Sequence, residues 1–186
     1  MALPLQKNKH YTYTDYLAWD SDFRYELIDG LPVAMAGASR IHQEAAGEIF
    51  NQLYNFSKGK PCKVYTAPFD VRLNAESFDD IVVQPDILVI CDQSKLDAKS
   101  CIGAPDMIVE ILSSSTARHD LFIKYNIYKN AGVHEYWIVD PERKIVQAFR
   151  LENGKYTATA YGDSDIAPVH VLDGCNINLV DVFVNL

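Results

Sequence analysis

The chain has little that would mark it for a membrane, a zinc cage or a broad nucleic-acid surface. No apolar run in its 186 residues approaches the roughly 20 that cross a bilayer as a helix. The start, MALPLQKNKHYTYTDY, has no basic stretch leading into a long apolar core. No signal peptide is therefore expected, and the expected location is the cytoplasm. Cysteine is scarce: Cys62, Cys91, Cys101 and Cys175 contain no CxxC pair, which argues against structural zinc. They are expected to be reduced thiols in or near the core. Positive charge is short too. With 17 Lys and Arg against 25 Asp and Glu, the formal net charge is -8. That weighs against a surface that neutralises many phosphates, but leaves room for a local basic cleft. An enzyme that binds metal ions also starts out more negative than its working form.

What is present describes one ordinary globular domain over residues 1–186. Hydrophobic residues make up 48%, charged residues 23% and aromatics 11%, which suits a well-packed core. No internal repeat, low-complexity run or linker interrupts it. Thr14 is the expected N-cap of a short helix through Tyr16, Leu17 and Trp19. In RYELIDGLPVAMA, Asp29-Gly30 separates two strand-like arms, a hairpin signal. Ser39 opens a helix with apolar residues at Ile41, Ala45, Ile49, Leu53 and Phe56. Three strands are expected next: KVYTAPFDVRL, VVQPDILVI and DMIVEIL. The run Ser113-Ser114-Ser115-Thr116 reads as loop and cap for a helix to about Asn130, closed by Gly132. HEYWIVD, IVQAFRLE and KYTATAYG are further strands, and DGCNINLVDVFVNL supplies a last strand and a short closing element. The fold class is α/β or α+β, a central mixed β-sheet flanked by helices.

Two acids stand where apolar residues are expected. Asp86 lies in VVQPDILVI and Glu110 in DMIVEIL, and a carboxylate in a buried strand is costly unless a cation meets it. Strand alternation puts Asp86 with Gln84, Leu88 and Ile90, and Glu110 with Asp106, Ile108 and Leu112. If these strands are neighbours, the carboxylates converge. Like charges that close raise one pKa, unless a divalent cation holds both ionised. Mg²⁺ and Mn²⁺ prefer such oxygen ligands. The plainer reading is that each acid caps a strand end or pairs with Arg or Lys. Lys124 lies along one helix face with Asp120 and Tyr128, so an Asp120–Lys124 surface pair is also open. Glu26 is a third acid in an apolar stretch, a partner for Arg24, for Lys124 or for a metal. His42 begins a helix, where histidine is structural more often than catalytic. A Ser113–Ser115 nucleophile with His119 lacks the G-x-S-x-G setting of a strained elbow.

The segments YELIDG, the His42-Gln43 helix start, QPDILVI, GAPDMIVEILSSST, D-x3-K-x3-Y (Asp120, Lys124, Tyr128) and AGVHEYWIVDP together resemble the Uma2 family of restriction endonuclease-like proteins. The resemblance runs from about residue 12 to the C-terminus, with Gly103 to Pro141 the most specific part. The family is similar to the PD-(D/E)xK nuclease superfamily. The resemblance implies a restriction endonuclease-like core and a Mg²⁺ (or Mn²⁺) dependent endonuclease acting on DNA. Asp86, Glu110 and the backbone carbonyl of Ile111 would hold the metal. The usual ExK lysine would fall at Leu112, and Lys124 on the following helix takes its place. Glu26 matches the N-terminal acid of the family, whereas Leu31 stands where an acid often follows.

On this reading Arg118, His119 and Lys129 contact backbone phosphates, and His42 and Tyr128 line the cleft. A homodimer matches the twofold symmetry of a duplex, with the Tyr- and Val-rich C-terminal strands as a source of interface. The alternative is a catalytically inactive nuclease-like module that binds nucleic acid or protein. The charge of -8 favours it. The complete acid–acid–lysine set speaks against it.

Overall fold

A computed structural model describes residues 9–113, 117–184 and 186, with side chains for all of these except 117–121. The architecture is the expected mixed α+β one, with its strands divided between two main mixed sheets. The first lies around a hairpin of β1 (Tyr25–Ile28) and β2 (Leu31–Ala34), paired Ile28 to Leu31. Its turn is the expected Asp29-Gly30, with φ of 48° and 71°. Both central residues of a two-residue turn that matches strand twist need positive φ. Gly30 is required for a second reason, since a Cβ there would run into the His10 ring.

Proline decides where the chain changes sheet. KVYTAPFDVRL, expected as one strand, is β3 (Lys63–Thr66) and β4 (Asp70–Arg72), separated around Pro68. VVQPDILVI is likewise split into β5 (Val82–Val83) and β6 (Ile87–Ile90), around Pro85. A proline has no N–H for a ladder, so a central strand does not run through it. With β7 (Ser100–Ile102), the first sheet has the order β2-β1-β5-β4-β7. The second sheet adds β8 (Met107–Ile111), β9 (Glu135–Asp140), β10 (Ile145–Glu152) and β11 (Lys155–Tyr161), in the order β11-β10-β9-β8-β6-β3. Within it β8 and β9 are parallel, while β6 and β8 are antiparallel with Ile87 opposite Val109. Asp86, in the bend immediately before β6, is therefore brought beside Glu110 of the neighbouring β8.

Each face of the second sheet has its own core. Ile87, Val89, Met107, Val109 and Ile111 pack with Ala45, Ile49 and Leu53 of the helix that follows Ser39, and with the C-terminal segment. Leu88, Ile90 and Ile108 face the other way and pack with Val71, Val83, Tyr128 and Tyr136. Burying these aliphatic side chains, at about 1.5–3 kcal/mol each, is what holds the acids' strands in place.

The long helix α1 (Arg40–Ser57) begins as expected at Ser39, whose side chain accepts the N–H of His42 at 3.2 Å. A one-turn helix before it, Tyr13–Leu17, starts at Thr12 rather than Thr14, because the Asp15 carboxylate accepts the Thr12 N–H at 3.0 Å. Helix α2 (Ala117–Ala131) ends at Gly132, φ 88°, whose N–H reaches the Tyr128 carbonyl at 3.1 Å. The expected cap at Ser113–Thr116 lies largely outside the described residues. The tail forms β12 (Ile166–Pro168), β13 (Asn176–Asn178) and the short α3 (Leu179–Phe183). Among the described residues no helix is long and apolar enough to cross a membrane.

The expectation of four free thiols is overturned. Cys62 and Cys91 form a disulfide, while Cys101 and Cys175 are free and buried. Cys62 and Cys91 flank the cross-strand pair Lys63–Ile90, and that adjacency is invisible in a spacing of 29 residues.

Candidate active site

Glu110 projects from β8, Asp86 from the bend just before the neighbouring β6, and Lys124 descends on them from α2. The Lys124 Nζ donates to Glu26 Oε1 at 2.8 Å and to Glu110 Oε1 at 2.9 Å. Lys124, Glu26 and Glu110 have side chains 13%, 6% and 11% exposed, so this is a nearly buried ion cluster and not a surface pair. The Tyr128 hydroxyl, one helical turn beyond Lys124, donates to the same Glu110 oxygen at 2.6 Å. Glu26 Oε1 also accepts the N–H of Gln84 at 2.9 Å. Asp86 Oδ2 accepts the N–H of Ile111 at 2.8 Å and faces His42 Nε2 at 3.1 Å. Thus β1, the Pro85 corner, β8, α1 and α2 all contribute to the cluster.

The electrostatics are unbalanced. Burial raises the Glu110 pKa to about 7; Lys124 opposes the rise, and Asp86 and Glu26 add to it. Burial works against the Lys124 ammonium, yet Glu110 and Glu26 together raise its pKa above the ordinary lysine value. The two results fit one picture: the lysine gains from two carboxylates, while Glu110 shares one ammonium and sees two like charges. The hydrogen bond to Asp86 raises the His42 pKa, against burial. Burial, with Glu110 and Glu26 nearby, keeps the Tyr128 phenol protonated.

The cluster forms the floor of an open cleft of about 180 Å³, lined also by Arg24, Ile28, Val33, Met35, His42 and Ile123. The donor set suits a hard divalent cation. Among the described residues, Asp86 and Glu110 each make their hydrogen bonds through one oxygen, leaving Asp86 Oδ1 and Glu110 Oε2 without a protein partner. Three carboxylates against one lysine leave negative charge to neutralise. No group of three or more His, Cys, Asp or Glu arranged as a cage is found among the described residues. Mg²⁺ needs none, since it is typically held by one or two carboxylates and keeps several waters.

The remaining expected residues are placed unevenly. His42 lines the cleft and bonds Asp86. Tyr128 does not line it: it is fully buried behind Glu110, with no surface left for a nucleic acid. Lys129 is not among the cleft residues; its Nζ lies 3.4 Å from Asn126 Oδ1. The side chains of Arg118, His119 and Asp120 lie outside the described residues. Leu31 is 61% exposed and is not part of the cleft lining. Two contributors were missed: the Gln84 N–H, which needs the Pro85 corner to turn toward Glu26, and Arg24, considered only as a partner for Glu26.

Comparison with known proteins follows the same lines. Residues 13–180 match the model of the Uma2 family, described as "Putative restriction endonuclease". The uncharacterized protein slr1290 of Synechocystis sp. (strain PCC 6803) is 25% identical over 156 residues, covering 81% of this chain and 80% of that protein. The uncharacterized protein sll1609 of the same organism is 26% identical over 124 residues, covering 62% and 65%. A crystal structure of "a putative nuclease belonging to DUF820" from Anabaena variabilis superposes with a TM-score of 0.76 at 17% identity, over 93% of this chain and 97% of that one. At that identity the superposition speaks for a shared fold. With a family match spanning residues 13–180, the chain belongs to the Uma2 family.

Proposed function

We propose that the protein is a metal-dependent endonuclease that hydrolyses phosphodiester bonds in DNA. The observation that carries this reading is the Lys124 ammonium held between Glu26 and Glu110, with Asp86 beside them at the cleft floor. A buried charged cluster adds little to stability over apolar packing, so its presence in a cleft points to chemistry.

Asp86 and Glu110, with the Ile111 carbonyl, are the residues that would hold Mg²⁺ or Mn²⁺. The bound ion would supply a water of lowered pKa and a counter-charge for the phosphate. The Ile111 N–H and His42 fix the Asp86 carboxylate, and Tyr128 fixes that of Glu110. Lys124 stays charged and offers its ammonium where negative charge grows on the phosphate. Glu26 holds that ammonium in place. Arg118, His119 and Lys129 on α2 are assigned to the flanking backbone, and a homodimer to cutting both strands.

The test is cleavage of supercoiled and linear DNA by purified protein with Mg²⁺ or Mn²⁺, beside Asp86→Ala and Lys124→Ala. Wild-type nicking lost in both variants supports the reading. No cleavage of any DNA form, with Mn²⁺ binding unchanged in Asp86→Ala, overturns it. The net charge of -8 favours a second reading, a catalytically silent binding module. That module would retain DNA or protein without turnover.

A further inference from the structure

We propose that Arg24 docks a backbone phosphate of the substrate at the mouth of the cleft, an assignment that rests on the nuclease reading of the floor beneath it. Arg24 lines the same cleft as Glu26, Asp86, Glu110 and Lys124, and it is exposed. The Arg24–Glu26 pair, one of the alternatives the sequence leaves open, is not formed. Glu26 Oε1 is taken by Lys124 at 2.8 Å and by the Gln84 N–H at 2.9 Å. Among the described residues the guanidinium enters no ion pair.

The other cationic groups of the cleft are already engaged. Lys124 lies between Glu26 and Glu110, and His42 is on Asp86. The walls between them, Ile28, Val33, Met35 and Ile123, are apolar. Arg24 is therefore the one unengaged full positive charge in the described lining. An anionic polymer approaching a chain of net charge -8, over a floor of three carboxylates, meets no other unengaged full positive charge in the described cleft lining.

Its position suits the task. The Arg24 carbonyl accepts the Met35 N–H at 2.9 Å, so the hairpin clamps the backbone at the root of the side chain. Alternation puts residues 24, 26 and 28 on one face, with about 7 Å between successive members. The guanidinium thus stands one step above Glu26, toward solvent, while Lys124 stays at the floor. Its planar fork can donate two N–H groups to the two non-bridging oxygens of one phosphodiester, a match that a lysine lacks. Lys124 would face the phosphate that reacts, and Arg24 a neighbouring one that sets register.

The experiment is fluorescence anisotropy of a short fluorescein-labelled DNA duplex, titrated with wild type, Arg24→Gln and Arg24→Lys. Ca²⁺ replaces Mg²⁺ to hold the complex uncut, and cleavage with Mg²⁺ and Mn²⁺ affinity are measured in parallel. The expected result is roughly tenfold weaker binding by Arg24→Gln, with the salt slope reduced by about one. Arg24→Lys should recover part of the affinity, KM should rise more than kcat falls, and Mn²⁺ affinity should stay within about threefold. Unchanged affinity and salt slope in Arg24→Gln, beside a wild type that cleaves, overturns the Arg24 assignment and leaves the nuclease reading standing. A wild type that binds Mn²⁺ yet neither binds nor cuts DNA overturns the nuclease reading, and the docking role with it.

Discussion

The Lys124 ammonium meets the Glu26 carboxylate at 2.8 Å across 98 residues of sequence, joining α2 to the hairpin of the other sheet. The contact is nearly buried at both ends, with side-chain exposures of 13% and 6%. Removing Lys124 leaves Glu26 and Glu110 without their cation in a place that water reaches poorly, whereas removing Glu26 leaves Lys124 with Glu110 alone.

Lys124→Ala should therefore destabilise the fold as well as abolish cleavage. Breaking a buried pair by deleting one member costs about 3–5 kcal/mol. Urea unfolding would read the loss. The triple variant Lys124→Met, Glu26→Gln, Glu110→Gln should recover most of the stability and none of the activity. If Lys124→Ala unfolds like wild type, the cluster is far more hydrated than its geometry indicates.

Tyr128→Phe removes one hydroxyl and leaves the ring packed against Tyr136. Glu110 then loses its 2.6 Å donor, which supports the ionised carboxylate. Mn²⁺ affinity should fall about tenfold, the lower end for a group that orients a ligand. Calorimetry at fixed pH measures this, and equal affinities would remove Tyr128 from the site.

A different buried acid, Glu135, gives a prediction about pH. Its carboxylate accepts Trp137 Nε1–H at 2.8 Å and the Val171 N–H at 2.9 Å, which pins the C-terminal segment to β9. Burial nonetheless raises its pKa above 4.5, against those donors. The folded state then holds a proton that the unfolded chain releases near 4.5. Its contribution to stability is complete below that pH and is lost as pH rises through the higher folded value. The wild-type unfolding free energy, minus that of Glu135→Gln, should fall as pH rises from about 4.5. The subtraction makes the test independent of how well Gln fits both donors. A level or rising difference contradicts it.

The disulfide ties β3 to β6 through a loop of 29 residues. Closing a loop of that size typically adds about 2–4 kcal/mol. Dithiothreitol should lower the Tm of wild type, and should leave the double variant Cys62→Ala, Cys91→Ala unmoved. Equal sensitivity of both proteins to the reductant would show that the bond carries no stability.

Much of this arrangement was legible in the sequence because it rests on short-range rules. Asp29-Gly30 names its own turn, Ser39 caps its own helix, and period-two alternation places Glu110 and Asp86 on one face. The identities of Asp86, Glu110, Lys124 and Glu26 came from acids in apolar surroundings and from family resemblance. What failed depended on relations between distant segments. VVQPDILVI looks continuous because its composition is uniformly β-forming, and the pairing of β5 with β1 and β4 shows that the chain leaves one sheet at Pro85. Cys62 and Cys91 meet because β3 and β6 are neighbours, which no spacing rule encodes. Tyr128 reads as a cleft residue because it shares a helix face with Lys124 and belongs to the motif that carries the resemblance. Its burial depends on the two sheets closing over α2.

The corner at Pro85 carries a consequence for the life of the chain. Because Glu110 belongs to one sheet and Glu26 to the other, neither half of the molecule contains a centre by itself. The groups meet only after Lys124, 98 residues beyond Glu26, has been synthesised and its helix has settled between the sheets. A chain still emerging from the ribosome, or one partly unfolded by stress, has the residues but not their arrangement. Completion of the fold is thus the condition for assembling the cluster, and an unfinished copy lacks it.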